Sequence, residues 1–198
     1  MRRTVPGARL LPAFVLLTAA PPALAQSAAD RFAVCAACHG KAGQSELLET
    51  PSLGGQPAFY VLAQLFLFRE GRRELSPMTD VAKGMSNDDL RTYSEIVSRL
   101  PPPRPPAAAP DAPRIARGQS VAEKHQCGTC HQPDYAGREN VPRVANQRED
   151  YLLKVLREYK TGKRVGYGNA VMPETVSGLS DADLQDVAHF LAYRPPRP

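Results

Sequence analysis

The chain has four cysteines, and all four fall in two copies of one short pattern, Cys35-Ala36-Ala37-Cys38-His39 and Cys127-Gly128-Thr129-Cys130-His131. Two thiols three residues apart lie on one face of a helical turn. Both can add to the vinyl groups along one edge of a porphyrin while the adjacent imidazole reaches the iron. The pattern reads as a covalent haem attachment site and predicts two covalently bound haem c groups, held by Cys35, Cys38, Cys127 and Cys130. A dithiol redox pair shares the Cys-x-x-Cys spacing but does not need the histidine that follows both times. A shared zinc is the other alternative, and the two pairs stand 92 residues apart, far beyond the usual knuckle spacing.

The duplication extends well past the cysteines. Pro51 corresponds to Pro142, Gln56 and Tyr60 to Gln147 and Tyr151, and Gly71-Arg72-Arg73 to Gly162-Lys163-Arg164. Further on, Met78 and Met85-Ser86-Asn87-Asp88-Asp89-Leu90 correspond to Met172 and Leu179-Ser180-Asp181-Ala182-Asp183-Leu184. Haem iron needs a second axial ligand, and this register nominates Met78 and Met172, 39 and 41 residues after His39 and His131 and each beside a proline. One methionine alone is ordinarily packing. Two at matching places in a duplicated haem domain predict His/Met coordination by His39 with Met78 and His131 with Met172, which raises the potential. Met85 aligns with Leu179 and reads as core; His125 and His189 read as surface or core histidines rather than ligands.

The elements that must carry these groups are helical, three per domain. The first runs from about Ala28 into Cys38 and from about Ala116 into Cys130; the second starts near Pro57 and stops at Gly71, its copy spanning about Arg148 to Gly162. The third opens on Ser86-x-x-Asp89 and Ser180-x-x-Asp183, a carboxylate form of the capping box. The methionines then fall in loops before the last helix. Between the copies lies residues 101–113, with seven prolines in thirteen residues, which suits an extended semi-rigid spacer. The expected division is a signal peptide over 1–25, a first domain over 26–100, the linker over 101–113 and a second domain over 114–198. In the second helix Ala63, Phe66 and Leu67 stand where the copy has Lys154, Arg157 and Glu158. A helix apolar nearly all round is usually covered, so Phe66 and Leu67 are expected to pack on the other domain or on a partner.

Residues 1–25 carry Arg2, Arg3 and Arg9 before the apolar run Leu10 to Leu17, then Ala23-Leu24-Ala25 as a small-x-small cleavage signal. Proline-broken and short, the run does not make a confident span, and export to the periplasm is expected, with no integral membrane span after cleavage; an uncleaved anchor and peripheral membrane association are the alternatives. The formal charge of +5 becomes +2 once those three arginines are removed. Neither that balance nor any motif suits nucleic acid. The second domain is the more basic, through residues such as Arg138, Arg143, Lys154 and Arg157. A solvated face accounts for this, and a docking patch for an acidic redox partner is the alternative.

Taken together, these motifs resemble the class I cytochrome c domain: an N-terminal helix, Cys-x-x-Cys-His, a proline some dozen residues later, two further helices and a methionine between them. Two in tandem, each with Gln-x-x-x-Tyr, Gly-x-Arg and Met-x6-Leu-Ser-Asp-like stretches, are similar to the dihaem cytochrome c4 family. The resemblance implies an all-α fold of two tandem class I cytochrome c domains joined by the proline-rich linker. It further implies that Pro51 and Pro142 offer carbonyls to the ring N–H of His39 and His131. Its functional implication is an electron carrier between a quinol-oxidising complex or dehydrogenase and a terminal oxidase or reductase, and no enzyme itself. The alternatives are a cytochrome subunit of a dehydrogenase, a dihaem peroxidase or a thiosulfate-oxidising cytochrome. Gln132 where the first copy has Gly40, and Met85 in place of leucine, depart from the pattern without removing a haem contact.

Overall fold

A computed structural model describes Met1, residues 28–164 and residues 171–194. The expected signal segment, apart from Met1, and residues 165–170, between Arg164 and the second copy's methionine, lie outside the described residues. Those residues form helices and irregular chain, with one isolated bridge between Arg138 and Val141 and no strand among them.

The first half folds as α1 (Ala28–His39), α2 (Ala58–Arg69), α3 (Met78–Ala82) and α4 (Asn87–Arg99). The expected capping box closes α4: Asp89 N–H donates to Ser86 Oγ at 3.1 Å, and Ser86 N–H to Asp89 Oδ2 at 3.0 Å. Arg31 on α1 reaches the same carboxylate at 2.7 Å and lies over the Tyr93 ring, binding the first helix to the last. Phe32, Val61 and Val97 form the small core where α1, α2 and α4 meet. Pro57 caps α2 rather than opening it, and α2 ends where Gly71, at φ +63°, lets the chain turn back so that Arg72 N–H meets Leu67 carbonyl at 2.9 Å.

The second half runs α5 (Ala112–Lys124), α6 (Cys127–His131), α7 (Glu149–Lys160), α8 (Val171–Ser177) and α9 (Asp181–Ala192). Ser180 and Asp183 repeat the capping box. Among the described helices the most extensive contact is α5 on α9, possible because Gly118 places bare backbone against the Asp186 carbonyl. Beneath it Tyr135 and Phe190 meet edge to face, centroids 5.7 Å apart, among Ala122, Leu152, Val187 and Leu191.

Several expectations need correction. The helix expected from Ala116 into Cys130 begins at Ala112, because Asp111 caps it by accepting from Arg114 N–H at 3.0 Å and proline is tolerated in a first turn. That same helix is broken at Gln126, which sits at φ +53°, so the second Cys-x-x-Cys-His occupies a helix of its own whereas the first ends α1. Met78 and Met172 stand in the short helices α3 and α8, not in loops. Leu67 is buried and Phe66 half-buried; α3 and α4 of the same half pack along α2, and the Arg69 guanidinium lies over the Phe66 ring.

The proline-rich stretch is not a free spacer. Gln44 holds Arg104 at both its main-chain N–H and its carbonyl, Pro103 is buried, and Pro101 and Pro102 lie close against Gly54 and Gly55. At its far end Asp111 N–H donates to His189 Nε2 at 3.0 Å, and His189 Nδ1 meets Glu149 at 2.8 Å. His189 is therefore a buried structural residue, 5% exposed.

Candidate haem sites

Each Cys-x-x-Cys-His segment presents free thiols and a fixed imidazole. Cys35 and Cys127 are half-buried, Cys38 and Cys130 exposed, and all four are free. Burial pushes the Cys35 and Cys127 thiols up. His39 and His131 are buried, at 6% and 8% exposure. His39 Nδ1 meets the Pro51 carbonyl at 2.8 Å and His131 Nδ1 meets the Pro142 carbonyl at 2.9 Å, as the resemblance implied. Burial lowers both imidazole pKa values, against the opposing pull of those carbonyls, so both rings are neutral. A neutral ring that donates from Nδ1 turns its lone pair outward at Nε2, and Nε2 has no hydrogen bond among the described residues. That donor chemistry fits haem iron. No three His, Cys, Asp or Glu side chains among the described residues gather as a metal site, so the cysteine pairs assemble no shared zinc knuckle there.

Glycine is needed at two turns beside these histidines. Gly40, at φ +80°, would set a Cβ 2.0 Å from the Gln44 carbonyl oxygen; Gly137, at φ +71°, would set one 2.3 Å from the Pro142 carbonyl carbon. Gly137 lets the segment carrying Pro142 approach closely, and Gly40 does the same for the main chain at Gln44. Met78 opens α3 directly after Pro77, and Met172 is the second residue of α8, next to Pro173. Both are half-buried, Met172 against Val176, Leu179 and Leu184. Met85, read as core, is half-buried where Leu179 is buried.

A second part of the site lies between the halves and went unassigned in the sequence. Arg164 is 5% exposed, yet among the described residues its guanidinium meets no carboxylate; it lies over the Tyr159 ring and reaches Tyr151 Oη at 3.4 Å, Tyr60 Oη at 3.3 Å and Gln64 Oε1 at 3.4 Å. Arg73, its counterpart in the repeat, donates to the same Gln64 oxygen at 2.6 Å. Burial raises the Tyr151 phenol, but Arg164 and Arg73 outweigh it and bring it down to about 8; burial pushes Tyr60 up despite Arg164. Buried positive charge without a counterion is costly, and hydroxyl and guanidinium donors gathered in one place suit carboxylates. Haem carries two of them as propionates. The signal was present in the repeated Tyr and Gly-x-Arg positions, although nothing in the sequence says that they converge.

The halves also grip one another reciprocally. Gln147 accepts from Ser52 N–H at 2.8 Å and donates to Ser52 carbonyl at 2.7 Å; Gln56 accepts from Arg143 N–H at 3.0 Å and donates to Arg143 carbonyl at 2.9 Å. Around them Lys154 pairs with Glu49 at 2.8 Å, Asp150 accepts from Glu49 N–H at 2.9 Å, and Arg148 donates to Ser45 carbonyl at 3.1 Å.

Fold and site define a c-type cytochrome with two haem domains. The family described as Cytochrome c matches residues 115–194. A thiosulfate dehydrogenase electron acceptor of Thiomonas intermedia is 31% identical over 209 residues, with 100% of this chain and 96% of that protein covered. Cytochrome c4 of Pseudomonas aeruginosa is 28% identical over 193 residues, covering 89% and 94%. Reduced cytochrome c4 from Pseudomonas stutzeri has the same fold, with a TM-score of 0.77 at 24% identity over 85% of this chain and 97% of that one. The chain belongs to the dihaem cytochrome c4 family. It is an all-α electron-transfer protein with two covalently bound haem c groups.

Proposed function

We propose that this chain works in the periplasm, with His39 and Met78 as axial ligands of the first haem and His131 and Met172 as those of the second. Cys35 and Cys38, and Cys127 and Cys130, are the attachment points, in domains over 26–100 and 114–198. The observation that carries this reading is the pair of neutral imidazoles, each locked through Nδ1 by a proline carbonyl beside two free thiols. When bound, haem supplies a one-electron ferrous/ferric couple. The chain's part is to hold each ring in one tautomer, to enclose the propionate edge with Arg164, Arg73, Tyr60 and Tyr151, and to keep the two domains docked. Exposed Cys38 and Cys130 put each attachment edge near solvent, where electrons can enter and leave.

The partners that suit this chemistry are a donor complex or dehydrogenase and a terminal oxidase or reductase, met by collision. A dehydrogenase's dedicated electron acceptor is the second reading, favoured by the name of the Thiomonas relative. Haem staining of denatured protein tests the attachment: Cys35→Ala with Cys38→Ala, or Cys127→Ala with Cys130→Ala, each halves the covalent haem. Full haem in either double variant overturns it. Affinity purification from the native host separates the two functions, since a dedicated acceptor brings its dehydrogenase with it in fixed ratio.

A further inference from the structure

We propose that Gln56 and Gln147 each tune the potential of the haem in the opposite domain, through the peptide group that orients its axial histidine. This rests on the reading of His39 and His131 as ligands. The carbonyl of Pro51 and the N–H of Ser52 belong to one peptide group. His39 Nδ1 donates to that carbonyl at 2.8 Å, and that N–H donates to Gln147 Oε1 at 2.8 Å. The carbonyl of Pro142 and the N–H of Arg143 form the matching group: His131 Nδ1 donates to one end at 2.9 Å and Gln56 Oε1 accepts from the other at 3.0 Å. Each glutamine returns a second bond to the next carbonyl, so its amide is held at both ends. Ser52, Gln56 and Gln147 are buried at 2%, 5% and 3% exposure, so no bulk water competes for these bonds.

Hydrogen bonds in series polarise one another, and more so away from water. An acceptor on the peptide N–H makes its carbonyl more negative. A more negative carbonyl draws the imidazole proton harder, which makes Nε2 a stronger donor to iron. A stronger donor favours ferric iron and lowers the potential. The controlling residue in each case belongs to the other domain, so each haem's potential depends on docking. Gln147 Oε1 also accepts from Arg148 N–H at 2.9 Å, which fixes its orientation in the first turn leading into α7. Gln56 and Gln147 are positioning residues; they touch no haem ligand directly.

The test is spectroelectrochemical titration of the full dihaem protein, with the two haems resolved by their hyperfine-shifted methyl resonances and assigned through contacts within each domain. Gln147→Leu removes the acceptor. It is expected to raise the ferrous-to-ferric ratio of the first haem about three- to tenfold at fixed potential, the scale of one hydrogen bond, where tenfold is 59 mV for one electron. The second haem moves less than about twofold on that scale. Gln56→Leu gives the mirror result. Gln147→Glu keeps an acceptor of greater charge and shifts the first haem the other way; it also serves if the leucine variant fails to fold. Equal shifts of both haems, as from separated domains, or no shift in either, overturn the proposal. The spectrum of the unaltered protein tests the ligands independently: with both irons low-spin and His/Met-ligated, a missing cross-domain shift counts against the glutamine link alone.

Discussion

One methyl group added at Gly118 should disrupt the packing of α5 on α9. A Cβ there would stand 2.1 Å from the Asp186 carbonyl oxygen, 2.6 Å from its carbon and 2.7 Å from Phe190 Cβ. Two of these atoms are main chain of α9, so no rotamer change relieves the contact and α5 must move off α9. Overpacking of this kind costs about 1–3 kcal/mol. In an exposed helix the same Gly→Ala change would gain about 1 kcal/mol. Because main chain is struck, the loss should reach the upper end of its range and leave Gly118→Ala less stable by about 1–2 kcal/mol. For a domain of this size that lowers the midpoint by about 4–8 °C per kcal/mol. Heat unfolding of the haem-loaded protein, followed by far-UV circular dichroism and Soret absorbance, measures it. Gln119→Ala is the control, an exposed neighbour whose side chain donates to Glu123 and which is expected to stay within about 0.5 kcal/mol. An unchanged or raised midpoint for Gly118→Ala would refute the reasoning.

Gly137→Ala should lower the second domain's midpoint and shift the second haem's potential while leaving the first in place, because its Cβ strikes the Pro142–Arg143 peptide; equal shifts in the same titration would contradict this. Arg164→Leu removes a buried positive charge that opposes oxidation, so the potential of at least one haem should fall, and a rise in both would count against the propionate reading. Burial raises the Asp150 pKa, but bonds from Arg148 and Glu49 N–H outweigh it and hold the carboxyl below its usual value. Its contribution to docking is therefore in place above the ordinary carboxylate pKa and lost as pH falls through the depressed one. Hydrogen exchange at the Glu49 amide, corrected for intrinsic rate, should lose protection on that acid limb, and Asp150→Asn should remove the pH dependence.

The parts of this molecule that follow local rules were legible in its sequence. Ser86 with Asp89 and Ser180 with Asp183 close the expected capping boxes, and Pro51 and Pro142 meet the expected histidines. What failed depended on particular contacts. Pro113 looked like linker, yet Asp111 beside it is an N-cap, and a proline in the first turn forfeits no helical hydrogen bond. The break at Gln126 uses a left-handed conformation without glycine to announce it. The apolar face of α2 pointed to Phe66 and Leu67 as packing on the other domain or on a partner. The domains instead join through main chain, glutamine amides and charged side chains, which leave no apolar pattern. Only the matching positions of Gln56 and Gln147 in the repeat hinted at it.

The absorption spectrum of the dithionite-reduced protein, recorded before and after carbon monoxide, tests the central claim most directly. Carbon monoxide binds ferrous haem only where an axial position is open or weakly held. With His39 and Met78 on one iron and His131 and Met172 on the other, the spectrum stays unchanged. A shift in about half of the absorbance, the share of one haem in two, would contradict one methionine assignment and move a catalytic role ahead of the carrier.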